Sequence, residues 1–209
     1  MRNRFAFLAV AAMTAALAGV TLQAQTDVAL SVYGAFSGTT DANGVQQSPA
    51  NSAGGMLEVR HIANPILGFE GTYSFNRANQ EYVGTACSTG VTPVCVPTTA
   101  STVKSNAHEV TFDWVPSIGL ANFRPFGVLG AGLLLNVPVS GQSTFETQTS
   151  TKAVYVYGAG LDWGLLPHLG LRLQYRGNLY KSPDITKLYG STNAFTHTAQ
   201  PMIGVYFKL

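Results

Sequence analysis

Residues 169–179 read Leu169-Gly170-Leu171-Arg172-Leu173-Gln174-Tyr175-Arg176-Gly177-Asn178-Leu179. Leu169, Leu171, Leu173, Tyr175 and Leu179 fall on one phase of a two-residue period, and Arg172, Gln174, Arg176 and Asn178 fall on the other. Successive side chains of a strand point to opposite faces, so this stretch is a strand with one apolar and one polar face. The same pattern recurs outward in both directions. Downstream, Ile203, Val205, Phe207 and Leu209 alternate with Met202, Gly204, Tyr206 and Lys208 within a segment from about 195 to 209. Upstream, Tyr155, Tyr157, Ala159, Leu161 and Trp163 alternate with Val154, Val156, Gly158, Gly160 and Asp162.

Four further segments follow the same rule. Val28, Leu30, Val32, Gly34 and Phe36 oppose Ala29, Ser31, Tyr33 and Ala35; Leu57 and Val59 oppose Met56, Glu58 and Arg60. Leu67, Phe69, Gly71, Tyr73 and Phe75 oppose Gly68, Glu70, Thr72 and Ser74; Val110, Phe112 and Trp114 oppose Glu109, Thr111 and Asp113. An eighth segment, Arg124 to about Asn136, has no clear phase, because Gly127, Gly130, Ala131 and Gly132 carry little contrast. In chain order the breaks after the second, fourth and sixth segments are short. Those after the first, third, fifth and seventh are long and rich in Ser, Thr, Asn, Gly and Gln. An even number of strands with short turns at one end and long loops at the other is the rhythm of an up-and-down barrel. The sequence therefore predicts an all-β fold, an eight-stranded antiparallel barrel, with outer loops at residues 37–52, 76–106, 137–152 and 181–194.

The solvent of that barrel follows from charge. Only 11% of the 209 residues are charged, against about a quarter in soluble globular domains. The mean hydropathy is +0.15, yet beyond residue 22 no apolar run approaches the roughly 18 residues of a spanning helix. A water-soluble sandwich or lipocalin-like barrel would turn the apolar phase inward and carry a heavily charged outer face. Here the phase opposite the apolar residues holds a few ionic groups of mixed sign: Glu58, Arg60, Glu70, Glu109, Asp113, Asp162, Arg172, Arg176 and Lys208. A barrel in lipid sequesters such groups in a narrow lumen and leaves no backbone edge without a partner. Phe36, Phe75, Phe112, Trp114, Trp163, Tyr175 and Phe207 all lie in the apolar phase, where rings form interfacial girdles.

The first 24 residues stand outside the barrel. Arg2 and Arg4, the small-residue apolar stretch from Phe5 to Val20, and Thr21-Leu22-Gln23-Ala24 have the layout of a secretory signal peptide. Cleavage is expected after Ala24, with Ala18 the earlier alternative, so residues 25–209 form the mature domain. Removing Arg2 and Arg4 leaves ten basic residues against ten acidic, a balance with no electrostatic footprint for nucleic acid. Export also bears on Cys87 and Cys95, the two cysteines of the chain. In an oxidising compartment they are expected to close a short disulfide loop. A metal site is not expected there, since no histidine is near them in sequence and zinc takes four such ligands.

The chain resembles the OmpA/OmpX-type eight-stranded outer-membrane barrels over its whole mature length. The most specific motif is the C-terminal Gly204-Val205-Tyr206-Phe207-Lys208-Leu209, which is similar to the terminal strand signal of bacterial outer-membrane proteins. That resemblance implies residence in the bacterial outer membrane and recognition of Gly204, Phe207 and Leu209 by the barrel-assembly machinery. The family pattern favours Phe at the last position, where this chain has Leu209. Outer-membrane lipid is the other implied partner, and a monomer is expected.

Three functions are compatible with such a chain. If Glu58, Glu70, Glu109 and Asp113 pair with Arg60, Arg172, Arg176 and Lys208, the lumen is plugged, and the protein is a membrane-embedded scaffold displaying loops for surface interaction. Eight strands leave an interior just wide enough for side chains to fill, so this reading ranks first. A narrow passive channel ranks second. An envelope lipid-modifying enzyme ranks third: His61 and His168 fall in short turns, His108 and His197 fall near the ends of non-adjacent strands, and His197 is followed by Thr198 rather than by the His-x-Ser arrangement of the lipid A deacylase family. Gly158-Ala159-Gly160 and Gly130-Ala131-Gly132 lead into no helix, as a dinucleotide loop would require. No catalytic residue, cofactor or metal ligand is assigned.

Overall fold

The computed structural model describes residues 24–87, 95–97, 100–141, 146–187, 189 and 191–209. The expected signal peptide falls outside these residues, apart from Ala24. Eight strands close into an antiparallel barrel: β1 (Gln25–Ser37), β4 (Ser52–Ile62), β5 (Gly68–Arg77), β9 (Ser105–Trp114), β10 (Phe123–Pro138), β11 (Ser150–Gly164), β12 (Leu169–Lys181) and β13 (Phe195–Lys208). The ring runs β1-β13-β12-β11-β10-β9-β5-β4 and returns to β1. Closure pairs the first and last strands, Val28 opposite Phe207 and Val32 opposite Ile203.

The apolar phase faces outward. Leu30 and Val32 are each 62% exposed and Phe112 is 63% exposed, whereas Asp27, Glu58, Arg60, Glu70, Asp113 and Arg176 are fully buried. A soluble protein inverts this arrangement. Here the hydrophobic driving force acts between the barrel wall and lipid, while the interior is polar. The rings singled out in the sequence all lie on the outside; Phe69 stacks on Phe112 at 5.7 Å and Phe123 on Trp163 at 5.9 Å.

The phase of β10 is now resolved. Phe126, Val128, Leu134 and Asn136 point inward, with Gly130 and Gly132 between them on the same face. Its inner face is the most apolar of the barrel and its outer face includes Gly127 and Ala131, so neither face stood out in the sequence.

The outer loops are more regular than their polar composition suggested. Residues 37–52 contain a hairpin, β2 (Thr40–Ala42) and β3 (Val45–Pro49), around Asn43-Gly44, both at positive φ. Residues 76–106 contain β6 (Gln80–Cys87), β7 (Cys95–Pro97) and β8 (Ser101–Val103). β6 pairs with β3, β7 and β8, so the first and third connections share one sheet above the barrel. Val45, Tyr82, Val103 and Ile185 bury a small apolar core there, and Tyr189 stacks on Tyr82 at 5.6 Å. Gln47 Nε2 donates to Gln80 Oε1 and to the Pro183 carbonyl, both at 3.0 Å. Burial pushes the Tyr82 phenol up, which keeps it a donor to the Pro183 carbonyl at 3.2 Å. The long connections thus fold into a cap.

The expected disulfide falls on cysteine side chains outside those described. The backbone register puts Cys87 directly opposite Cys95, and opposed residues of antiparallel strands have Cα separations of about 4.5–5.5 Å, within the span of a disulfide. A bridge closing so short a loop contributes about 2–3 kcal/mol in the chain-entropy model. Because it would staple only the β6–β7 tip, the Cys87→Ala, Cys95→Ala double variant is expected to fold into detergent normally and to be cut faster by protease between residues 76 and 106. Loss of barrel folding would contradict a local staple.

Candidate functional site: the lumenal charge layer

Each barrel strand reaches the lumen with every second residue, and register sets which charges meet. Arg60 on β4 lies opposite Glu70 on β5 and Asp27 on β1. Glu70 lies opposite Asp113 on β9, and Asp162 on β11 opposite Arg172 on β12. These groups form one layer across the barrel. Arg60 Nε donates to Glu70 Oε2 at 2.7 Å, and its Nη1 donates to Asp162 Oδ2 at 3.2 Å. Arg172 is the hub. Its Nε donates to Asp162 Oδ1 at 2.8 Å, Nη1 to Glu58 Oε2 at 2.8 Å and Nη2 to Asp27 Oδ1 at 2.9 Å. Arg176 Nη1 donates to Asp113 Oδ2 at 2.7 Å and Nη2 to Thr111 Oγ1 at 3.0 Å. The Arg60 guanidinium lies 4.0 Å from the centroid of the Phe126 ring, which gives the inward phenylalanine of β10 a cation–π partner.

Taking charge out of water costs several kcal/mol per ion, offset only where geometry and additional hydrogen bonds are good. The planar fork of arginine suits this task, since one guanidinium serves three carboxylates from separate strands. Ser31 Oγ donates to Glu58 Oε1 at 2.6 Å, and Asn178 Nδ2 donates to Glu109 Oε2 at 2.6 Å. Among the described residues the layer holds six carboxylates, Asp27, Glu58, Glu70, Glu109, Asp113 and Asp162, against three guanidiniums.

Of the nine charges singled out in the sequence, eight lie in this layer. Lys208 does not. It stands two residues beyond Tyr206, where the strand reaches the mouth formed by the short turns, and it is partly exposed. Its ammonium lies 5.8 Å from the Tyr206 ring centroid, and no described carboxylate is within 4 Å of it. Together with Arg124 it lines a vestibule of about 380 Å³. The residue that sequence reasoning missed is Asp27. It sits on the inward phase with Ala29 and Ser31, but at the edge of the alternating segment, where it reads as a strand-capping polar residue.

The remaining residues of interest lie elsewhere. The His108 ring pairs with the Tyr73 hydroxyl at 2.9 Å and the His197 ring with that of Tyr157 at 2.9 Å, both at exposed positions on the outer wall. His61 and His168 are in or beside the short turns, bonded to Thr26 Oγ1 and to the Lys208 carbonyl. At the C-terminal strand, Phe207 faces outward and stacks on His168 at 5.9 Å. The Leu209 amide donates to the Thr26 carbonyl at 2.9 Å. Gly204 faces inward at a close approach: a Cβ there would lie 2.1 Å from Ser31 Oγ.

Comparison with known proteins agrees with this architecture. The family model for the outer membrane protein beta-barrel domain matches residues 5–207. Neisserial surface protein A superposes with a TM-score of 0.52 at 13% identity, covering 90% of this chain and 99% of that one. The attachment invasion locus protein Ail of Yersinia pestis superposes with a TM-score of 0.50 at 16% identity, again over 90% and 99%. Among curated proteins none matches. With the closed ring, the apolar exterior and the buried ionic interior, these matches assign the chain to the outer membrane protein beta-barrel domain family, as an integral protein of the bacterial outer membrane.

Proposed function

We propose that the protein is a sealed, membrane-embedded scaffold whose task is to hold a folded extracellular cap for surface interaction. The observation that supports this most strongly is the hub: Arg172, 1% exposed, bonds carboxylates from three other strands, two of them not adjacent to its own. A lumen spanned by such a group has no continuous aqueous path, because moving the guanidinium aside strands buried carboxylates. The cap adds a second obstruction on the outer side. Recognition activity would then reside in the cap and the long connections, as loops on rigid scaffolds commonly carry binding. Outer-membrane lipid surrounds the apolar wall, the assembly machinery reads the strand ending in Phe207 and Leu209, and the barrel acts as a monomer.

Planar bilayers separate this reading from a narrow passive channel. The purified protein is expected to insert without resolved single-channel steps. Reproducible steps of one amplitude from the unmodified protein would overturn the sealed scaffold and favour the channel.

A further inference from the structure

Beyond the charge layer, on its cap side, the lumen widens into a chamber of about 30 Å³ lined by Asn76, Gln80, Glu109, Asn136, Asn178 and Gln200. Water-sized occupants need about 10–15 Å³ each, so the space admits two. Ala50, which also lines the chamber, is exposed, while Glu109 is 3% exposed. Three oxygens in it have no hydrogen-bond partner within the protein: Glu109 Oε1, Asn178 Oδ1 and Gln200 Oε1. Their side chains are at least nine-tenths buried. The orientation of Asn178 is fixed by chemistry, since its amide nitrogen must donate to Glu109 Oε2 and its oxygen is thereby turned away. The cation nearest Glu109 Oε1 is Arg176 Nη2 at 3.7 Å, beyond hydrogen-bonding distance.

From these groups we infer a binding site for one small hard cation, held by the Glu109 carboxylate and the amide oxygens of Asn178 and Gln200. A carboxylate with neutral amide oxygens is the donor set of calcium- and sodium-sized ions, which complete their shells with water. Zinc-type binding is disfavoured, because no three His, Cys, Asp or Glu among the described residues converge on a metal position. Charge favours a cation as well: with Glu109 counted, six buried carboxylates face three guanidiniums in the layer and chamber together, and a bound cation offsets part of that surplus. Asn136, whose Nδ2 is also unpartnered, lines the same chamber. The inference is independent of whether the cap binds a partner.

The test uses protein extracted from outer membranes in zwitterionic detergent, in choline chloride at constant ionic strength. Calcium chloride and sodium chloride are titrated in separate arms and thermal unfolding is followed by tryptophan fluorescence. A ligand that binds only the folded state raises the melting temperature in a saturable way. A saturating rise in either arm, lost in Glu109→Gln, is expected, and the arm that responds names the ion. Gln200→Glu adds a second carboxylate and is expected to lower the half-saturating calcium concentration at least tenfold, a gain that misfolding cannot mimic. Where Glu109→Gln does not fold, Gln200→Glu decides. A response no different from choline, persistence of the shift in Glu109→Gln, or an unchanged calcium midpoint in Gln200→Glu would each overturn the site.

Discussion

Replacing Arg172 by methionine is expected to destabilise the barrel by about 3–5 kcal/mol, the range for removing one partner of a buried ionic cluster. Methionine nearly matches the volume of the stem, so little of the loss comes from packing. The loss arises because Asp27 and Glu58, each within 2.9 Å of the guanidinium, remain buried with their charges uncompensated, and Asp162 is left with Arg60 alone. Arg172→Lys keeps the charge but offers a point donor in place of a fork, and should fall between methionine and the parent. Lys181→Met, on an exposed side chain at the strand end, serves as the control and should stay within about 0.5 kcal/mol. Denaturant unfolding in detergent micelles gives all four values. A loss below about 1 kcal/mol for Arg172→Met would show that the layer does not act as a connected unit.

The second large effect is steric and sits on β10. A Cβ built on Gly132 would lie 1.9 Å from the Val110 carbonyl oxygen, and one on Gly130 would lie 1.9 Å from Asp113 Oδ1 and 2.6 Å from the Phe112 carbonyl oxygen. The obstacles are largely backbone of the neighbouring strand, which cannot rotate away. Overpacking of this kind costs about 1–3 kcal/mol and occasionally more. Gly132→Ala should fall within that range, while Gly132→Leu should exceed it or prevent closure. Gly71 provides the contrast, because a Cβ there meets nothing within 4 Å. Gly71→Ala is expected to be neutral or stabilising by up to about 1 kcal/mol, since glycine in a strand loses more chain freedom on folding. Refolding yield and unfolding midpoint measured on the three variants check the ordering, which inverts if β9 and β10 can part without cost.

The period-two alternation made most of the barrel legible. Residues 169–179 and 154–163 carry leucine and aromatic residues on one phase and small or ionic residues on the other, so lipid facing could be read without a partner strand. β10 was illegible because Phe126, Val128 and Leu134 are apolar and inward, and period two shows only when the faces differ. β6 was hidden for the converse reason: Gln80 and Tyr82 are buried in the cap, and polar residues buried by one another leave no hydrophobic trace. The charged residues could be recognised one by one, but not their pairing. Arg172 meets Glu58 across 114 positions and Asp27 across 145, separations set by ring closure and stagger, which no local pattern encodes.

With the cap outside the cell, as proposed, its shared sheet has a consequence for any molecule that meets that surface. β3 comes from the first connection and β6 from the third, while Ile185, at the centre of their apolar core, comes from the seventh. A footprint on this face is therefore discontinuous in sequence. A synthetic peptide copying residues 76–106 would lack the strand that pairs with Gln80–Gly84 and the Pro183 carbonyl that fixes Gln47 and Tyr82, so it could not reproduce the native epitope. Antibodies raised against such a peptide would recognise the denatured chain, and those that recognise living cells would require the refolded barrel as immunogen.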